Sequence, residues 1–140
     1  MSELVVTRKA DKLMRLFLLG SALLIVPIAL NYGIVPSKTL PMFLTMPELG
    51  TDQTHIYRGV MGLYLGAGLF WAVSAFKPEW QRVAMITVIG FAWSIAAGRV
   101  VSLVVDGQPS PLLLIYLGIE IVAGLLGLAV LAAADRKLKR

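Results

Sequence analysis

Four stretches of the chain are apolar for long enough to cross a bilayer, and polar breaks separate them. A membrane helix needs about 20 consecutive, mostly apolar residues. Residues 13–32, 55–76, 82–105 and 112–134 meet that length. There is no internal repeat or low-complexity tract. The pattern predicts an all-α fold: an antiparallel four-helix transmembrane bundle, with residues 1–140 forming one domain.

The breaks fit that bundle. Residues 77–80, "KPEW", are short, and Pro78 is placed to start the third helix, where proline's missing N–H costs nothing. Residues 106–111, "DGQPSP", form a tight turn, with Ser110 placed to cap the fourth helix and Pro111 at its first position. Only the first connection, residues 33–53, is long. It sets Pro36, Pro41 and Pro47 around the apolar "TLPMFLTM", so it is expected to lie at the membrane interface or to cover one end of the bundle. The first stretch carries the basic flank of a signal peptide. Its apolar run is long and no A-x-A cleavage site follows, so a retained helix is expected.

Composition supports this picture. The chain is 58% hydrophobic and 15% charged, whereas soluble domains average ~45–50% and ~25%. The net charge of +5 would suit nucleic acid in a soluble chain. Here lysine and arginine mark orientation instead. Arg8, Lys9, Lys12, Arg15, Lys77, Arg82, Arg136, Lys137, Lys139 and Arg140 all fall on one side of the four-span arrangement, and the opposite loops hold only Lys38. The positive-inside rule then places both termini in the cytoplasm, with Thr54, His55, Arg58 and Asp106 toward the outer side. Trp71 and Trp80 fall toward the inner boundary and are expected as interfacial anchors. The chain has no cysteine, which removes disulfides and thiol chemistry.

The remaining polar residues within the spans gather at one depth. At about 1.5 Å per residue, Glu120 lies about 12 Å in from Leu112, Arg99 about 10 Å in from Asp106, and Arg58 about 6 Å below Thr54. His55, Arg58 and Gly62 share a helix face, as do Arg99, Ser102 and Asp106, and as do Tyr116, Glu120, Ala123, Gly124 and Gly127. If all three faces point inward, they form a His55/Arg58/Arg99/Asp106/Glu120 cluster in the outer half of the bundle. A charge inside the membrane costs roughly 2.5–3.5 kcal/mol unpaired. The expected arrangement is Arg99 paired with Glu120, Arg58 near Asp106, and His55 at the mouth. A buried pair of this kind also serves a purely structural role, fixing the register of a bundle. Tyr57 and Tyr64, on a neighbouring face, are placed to line a cavity or to pack between helices. Gly59, Gly62 and Gly66, which include the GxxxG of "GLYLG", read as helix-packing positions.

Several chemistries lack their motifs. There is no H-E-x-x-H, dinucleotide-binding glycine pattern or P-loop, and one histidine makes no bis-histidine haem site. His55, Asp106 and Glu120 suit a metal by residue type, but two neighbouring arginines oppose it. No metal and no cofactor is expected.

The segments "HIYRGVMGLYLG", "AAGRVVSLVVDGQPS" and "LGIEIVAGLLG" together resemble a bacterial family known as domain of unknown function 4345. The resemblance runs from the first span to the fourth. It rests on His55, Arg58, Gly59, Gly62, Tyr64, Gly98, Arg99, Asp106, Gly107 and Glu120. It implies a small four-span membrane protein with a polar site near the outer surface, and no particular reaction. The architecture is also similar, more weakly, to DoxX-like four-helix membrane proteins. The functional expectation is a binding protein. His55, Arg58, Arg99, Asp106, Glu120 and Tyr64 would hold the polar head of a membrane lipid, isoprenoid or quinone, against apolar walls for its tail. Two alternatives stand beside it. One is an accessory subunit that packs its glycine faces against a membrane protein partner or a second copy. The other is an isomerase-type enzyme using Glu120 and His55 as acid and base.

Overall fold

The computed structural model describes residues 11–138, so Arg8, Lys9, Lys139 and Arg140 of the orientation pattern lie outside the described residues. The elements are α1 (Lys12–Gly33), α2 (Pro36–Phe43), α3 (Thr51–Ser74), α4 (Pro78–Val105) and α5 (Pro111–Leu138). There is no strand among the described residues. Four of these helices are long and apolar enough to span a membrane. The chain is therefore a multi-pass, all-helical membrane protein.

Local chemistry sets the helix boundaries. Asp11 caps α1: its carboxylate accepts the N–H groups of Leu13 at 2.8 Å and Met14 at 3.1 Å. Helix α3 starts one turn earlier than its apolar run suggests. The Gly50 N–H donates to the Gln53 side chain at 2.8 Å and the Thr54 hydroxyl donates to the Gly50 carbonyl at 3.0 Å, so polar residues close the extra turn. Pro78 and Pro111 are the first residues of α4 and α5. Ser110 receives the Leu113 N–H through its backbone carbonyl at 3.0 Å, not through its hydroxyl. In the α4–α5 turn Gly107 has φ +93, a backbone region that a side chain would disfavour. The long first connection folds into the short helix α2, with Pro36 at its N-terminus.

Side-chain bonds identify the two ends of the bundle. At one end the Asp11 N–H donates to Gln81 Oε1 at 3.0 Å, and Gln81 Nε2 donates to the Ala75 carbonyl at 3.0 Å. Lys137 reaches the Asp11 carboxylate at 3.2 Å, Arg82 pairs with Asp135, and Arg15 lies over the Phe76 ring. The start of α1, the α3–α4 turn and the end of α5 therefore meet here, which is the antiparallel arrangement. The opposite end gathers the end of α1, α2, the start of α3 and the α4–α5 turn.

Helix α1 packs mainly on α3, and α4 mainly on α5. The core holds Leu18, Ile25, Trp71, Met85 and Val88, with alanines such as Ala22, Ala29, Ala84 and Ala96 letting the backbones approach. Trp71 is 3% exposed and its Nε1 donates to Thr87 Oγ1 at 3.1 Å, so it is a core residue and not the interfacial anchor expected. Trp80 is exposed, with the Lys77 ammonium over its ring. Large apolar side chains cover the outside: Val104 is 81% exposed and Leu23 77%. That surface suits acyl chains and would be unstable in water.

Candidate functional site

The end of the bundle holding α2 carries a polar centre on a half-buried ion pair. Arg99 of α4 and Glu120 of α5 have side chains 18% and 14% exposed. Arg99 Nε donates to both Glu120 oxygens, at 2.9 and 3.0 Å. This is one nitrogen shared between two oxygens, not the fork of parallel bonds that a guanidinium can offer. Arg99 Nη2 donates to the Tyr32 hydroxyl at 3.3 Å, which ties in α1. The Tyr116 ring lies 5.8 Å from the guanidinium carbon. Among the described residues Arg99 Nη1 has no hydrogen-bond partner, so part of the guanidinium is still available to donate.

Aromatic rings support this centre. Tyr32 stacks on Tyr57 with centroids 6.1 Å apart, and Tyr64 meets Tyr32 edge-on at 5.8 Å. Tyr64 in turn meets Phe91 at 5.0 Å, and Phe91 meets Trp71 at 5.5 Å. Tyr64 thus packs between helices. The Tyr57 hydroxyl lies 3.9 Å from Met46 Sδ, which links the ring stack to the segment after α2.

Two open cavities share Arg99 and Asp106. One, of about 590 Å³, lies between α4 and α5 and is walled by Ile95, Leu103, Leu113 and Leu117. The other, of about 1020 Å³, is bounded by Tyr32, Tyr57, Leu44 and Met46, which brings the chain between α2 and α3 over the site. Gln108 lines both. A much smaller space of about 70 Å³ lies against Tyr64 and Glu120.

The expected five-residue charged cluster does not form. His55 and Arg58 are exposed, and neither lines these cavities. The reason is helical phase. The face that α3 buries is set by Tyr57, Tyr64, Gly68 and Trp71, and His55 lies two residues, about 200°, from Tyr57. Near a helix end in a bilayer, charged side chains reach the headgroups from an outward face, so polarity does not mark the inside. Gly59, Gly62 and Gly66 share that outer region: a Cβ added at any of them meets nothing within 4 Å. Their expected packing role is not met within this chain. Asp106 is exposed at the end of α4 and makes no ion pair with Arg58. Among the described residues no group of three or more His, Cys, Asp or Glu side chains comes together as a metal site.

Tyr32 is the main member of the site missing from the sequence reading. It reads there as the end of the first span, although a phenol in the last turn of an apolar helix is itself a signal, because a buried hydroxyl needs a partner. Gln81 is likewise hidden in sequence by its position in the basic break.

Residues 13–131 match the family model described as Domain of unknown function (DUF4345), and the chain belongs to that family. No curated protein and no solved structure matches the chain. The likeness to DoxX-like proteins finds no counterpart among these matches.

Proposed function

We propose that the protein holds the polar head of a membrane amphiphile at Arg99. The observation that carries this reading is the position of Arg99. It is fixed from behind by Glu120 and Tyr32, keeps an unused Nη1 donor, and lines two cavities whose other walls are largely apolar. A few convergent polar groups set in apolar walls are what an amphiphile site requires. Glu120 and Tyr32 position the guanidinium, Asp106 and Gln108 lie at the mouth, and the chain around Leu44 and Met46 covers it. The basic end formed by Arg15, Lys77, Arg82, Arg136 and Lys137 supports an orientation in a bacterial inner membrane with both termini cytoplasmic, which puts Arg99 in the periplasmic half. The test is lipid retention. Purified protein should carry an amphiphile, and Arg99→Ala combined with Glu120→Ala should lose it.

A second reading rests on a different observation. The open face around Gly59, Gly62 and Gly66 gives a neighbouring helix room to approach, which favours an accessory role beside a membrane partner. Stoichiometric co-purification in mild detergent tests it. The isomerase alternative loses its acid–base pair, because His55 is exposed on the outer face of α3 while Glu120 is engaged by Arg99.

A further inference from the structure

The charges along the cavity are ordered. Arg99 and Asp106 lie on one face of α4, seven residues and about 10 Å of helix rise apart, with Arg99 the deeper. Both line both cavities, and Ser102 lies between them in the smaller one. Glu120 already balances Arg99, so Asp106 leaves the site with one negative charge in excess. A purely anionic head would add a second negative charge beside Asp106, and like charges repel. A head with a phosphate below and an ammonium above meets a donor at depth and an acceptor at the mouth.

We propose that the occupant is a zwitterionic phospholipid with a primary ammonium group, of the ethanolamine type. This inference rests on the amphiphile reading given above and specifies its head. The Nη1 group of Arg99 donates to the phosphate. Asp106 accepts from the ammonium, and the Gln108 side-chain carbonyl adds a second acceptor. The order of the protein's charges follows the order glycerol, phosphate, ammonium in the lipid itself. Leu103, Leu113, Leu114 and Leu117 wall the space for the acyl chains. Val101, Val104 and Ile115 are exposed on the same two helices, so α4 and α5 already face lipid beside the cavity. A primary ammonium has three N–H donors for Asp106 and Gln108, whereas a choline head has none.

The experiment is native mass spectrometry of full-length protein from nanodiscs holding equal parts of phosphatidylethanolamine, phosphatidylglycerol and phosphatidylcholine. The expected result is an excess of about tenfold of retained ethanolamine lipid over either competitor, the size that a hydrogen bond to a charged group carries. In Asp106→Asn the excess of ethanolamine lipid over choline lipid falls toward parity. Asp106 makes no side-chain hydrogen bond among the described residues, so this variant keeps the fold, and an unchanged unfolding midpoint checks that. Equal retention of the three lipids, or an excess that survives Asp106→Asn, overturns the assignment of the head and leaves the amphiphile reading standing. Failure to retain any phospholipid likewise overturns the assignment of the head, and the amphiphile reading falls with it only if protein purified from its native membrane also carries no amphiphile.

Discussion

Arg99 gives a single nitrogen, Nε, to both carboxylate oxygens of Glu120, at 2.9 and 3.0 Å, and so joins α4 to α5 while part of its guanidinium stays uncommitted. The pair does two things at once. It removes the cost of two charges within the bundle, and it presents a positioned donor to the adjoining cavities.

Breaking this pair from one side is expected to destabilise the protein. Arg99→Ala leaves Glu120 half-buried without its partner, a loss of about 2–3 kcal/mol, below the range for a fully buried pair. Replacing both residues with leucine should recover most of that loss. Thermal unfolding in detergent measures it. If Arg99→Ala melts at the wild-type midpoint, the pair contributes nothing to the fold.

Gln81 is the corresponding fastener at the other end. It is 1% exposed and bonds both the Asp11 N–H and the Ala75 carbonyl. Gln81→Leu leaves both backbone groups without a side-chain partner, with an expected cost of about 2–3 kcal/mol. The same unfolding assay reads it, and retention of lipid at Arg99 should be unaffected because that site lies at the opposite end.

Asp11 gives this end a pH dependence. Burial alone pushes its carboxyl up, but the Met14 N–H, the Lys137 ammonium and the Leu13 N–H outweigh burial and hold it below the ordinary carboxylate value. The folded value is therefore lower than the unfolded one. The resulting stability is complete above the unfolded value, near pH 4, and is lost as pH falls through the folded value. Melting midpoints of the wild type and Asp11→Asn should differ most at neutral pH and converge below about pH 4. A constant difference across that window would show that the carboxylate charge is not involved.

Glycines separate the packed faces from the open one. A Cβ at Gly127 would lie 2.7 Å from Ile89 Cγ1 and 3.3 Å from Phe17 Cζ, so Gly127→Ala should cost about 1–3 kcal/mol through overpacking. Gly62→Ala and Gly66→Ala meet open space and should be neutral, or stabilising by up to about 1 kcal/mol, since alanine is the better helix former. If a partner covers this face, the same two substitutions reduce co-purification without lowering the melting midpoint of the chain alone.

The sequence made some of this legible and hid the rest, for physical reasons. Span positions follow from length and apolarity, and Pro78 and Pro111 mark helix starts that the structure keeps. The Arg99–Glu120 pair was legible because two charges at matching depth in neighbouring helices have few other ways to be satisfied. The buried face of α3 was not. His55, Arg58 and Gly62 form one heptad-spaced stripe, while Tyr57, Tyr64 and Trp71 form another, and each obeys helical periodicity. In water the polar stripe would have to face out. In a bilayer either stripe can face in, and here aromatic contacts with Tyr32 and Phe91 decide it. The role of Tyr32 depends on the neighbours that α1 acquires, which only the fold supplies.

A density map of the protein purified from its native membrane would show whether Arg99 holds the head of an amphiphile. Elongated density is expected between α4 and α5, with its head within hydrogen-bonding distance of Arg99 Nη1. That density should vanish when Arg99 and Glu120 are both changed to alanine. A cavity holding only water in the wild type, or the same elongated density in the double variant, would contradict that role for Arg99.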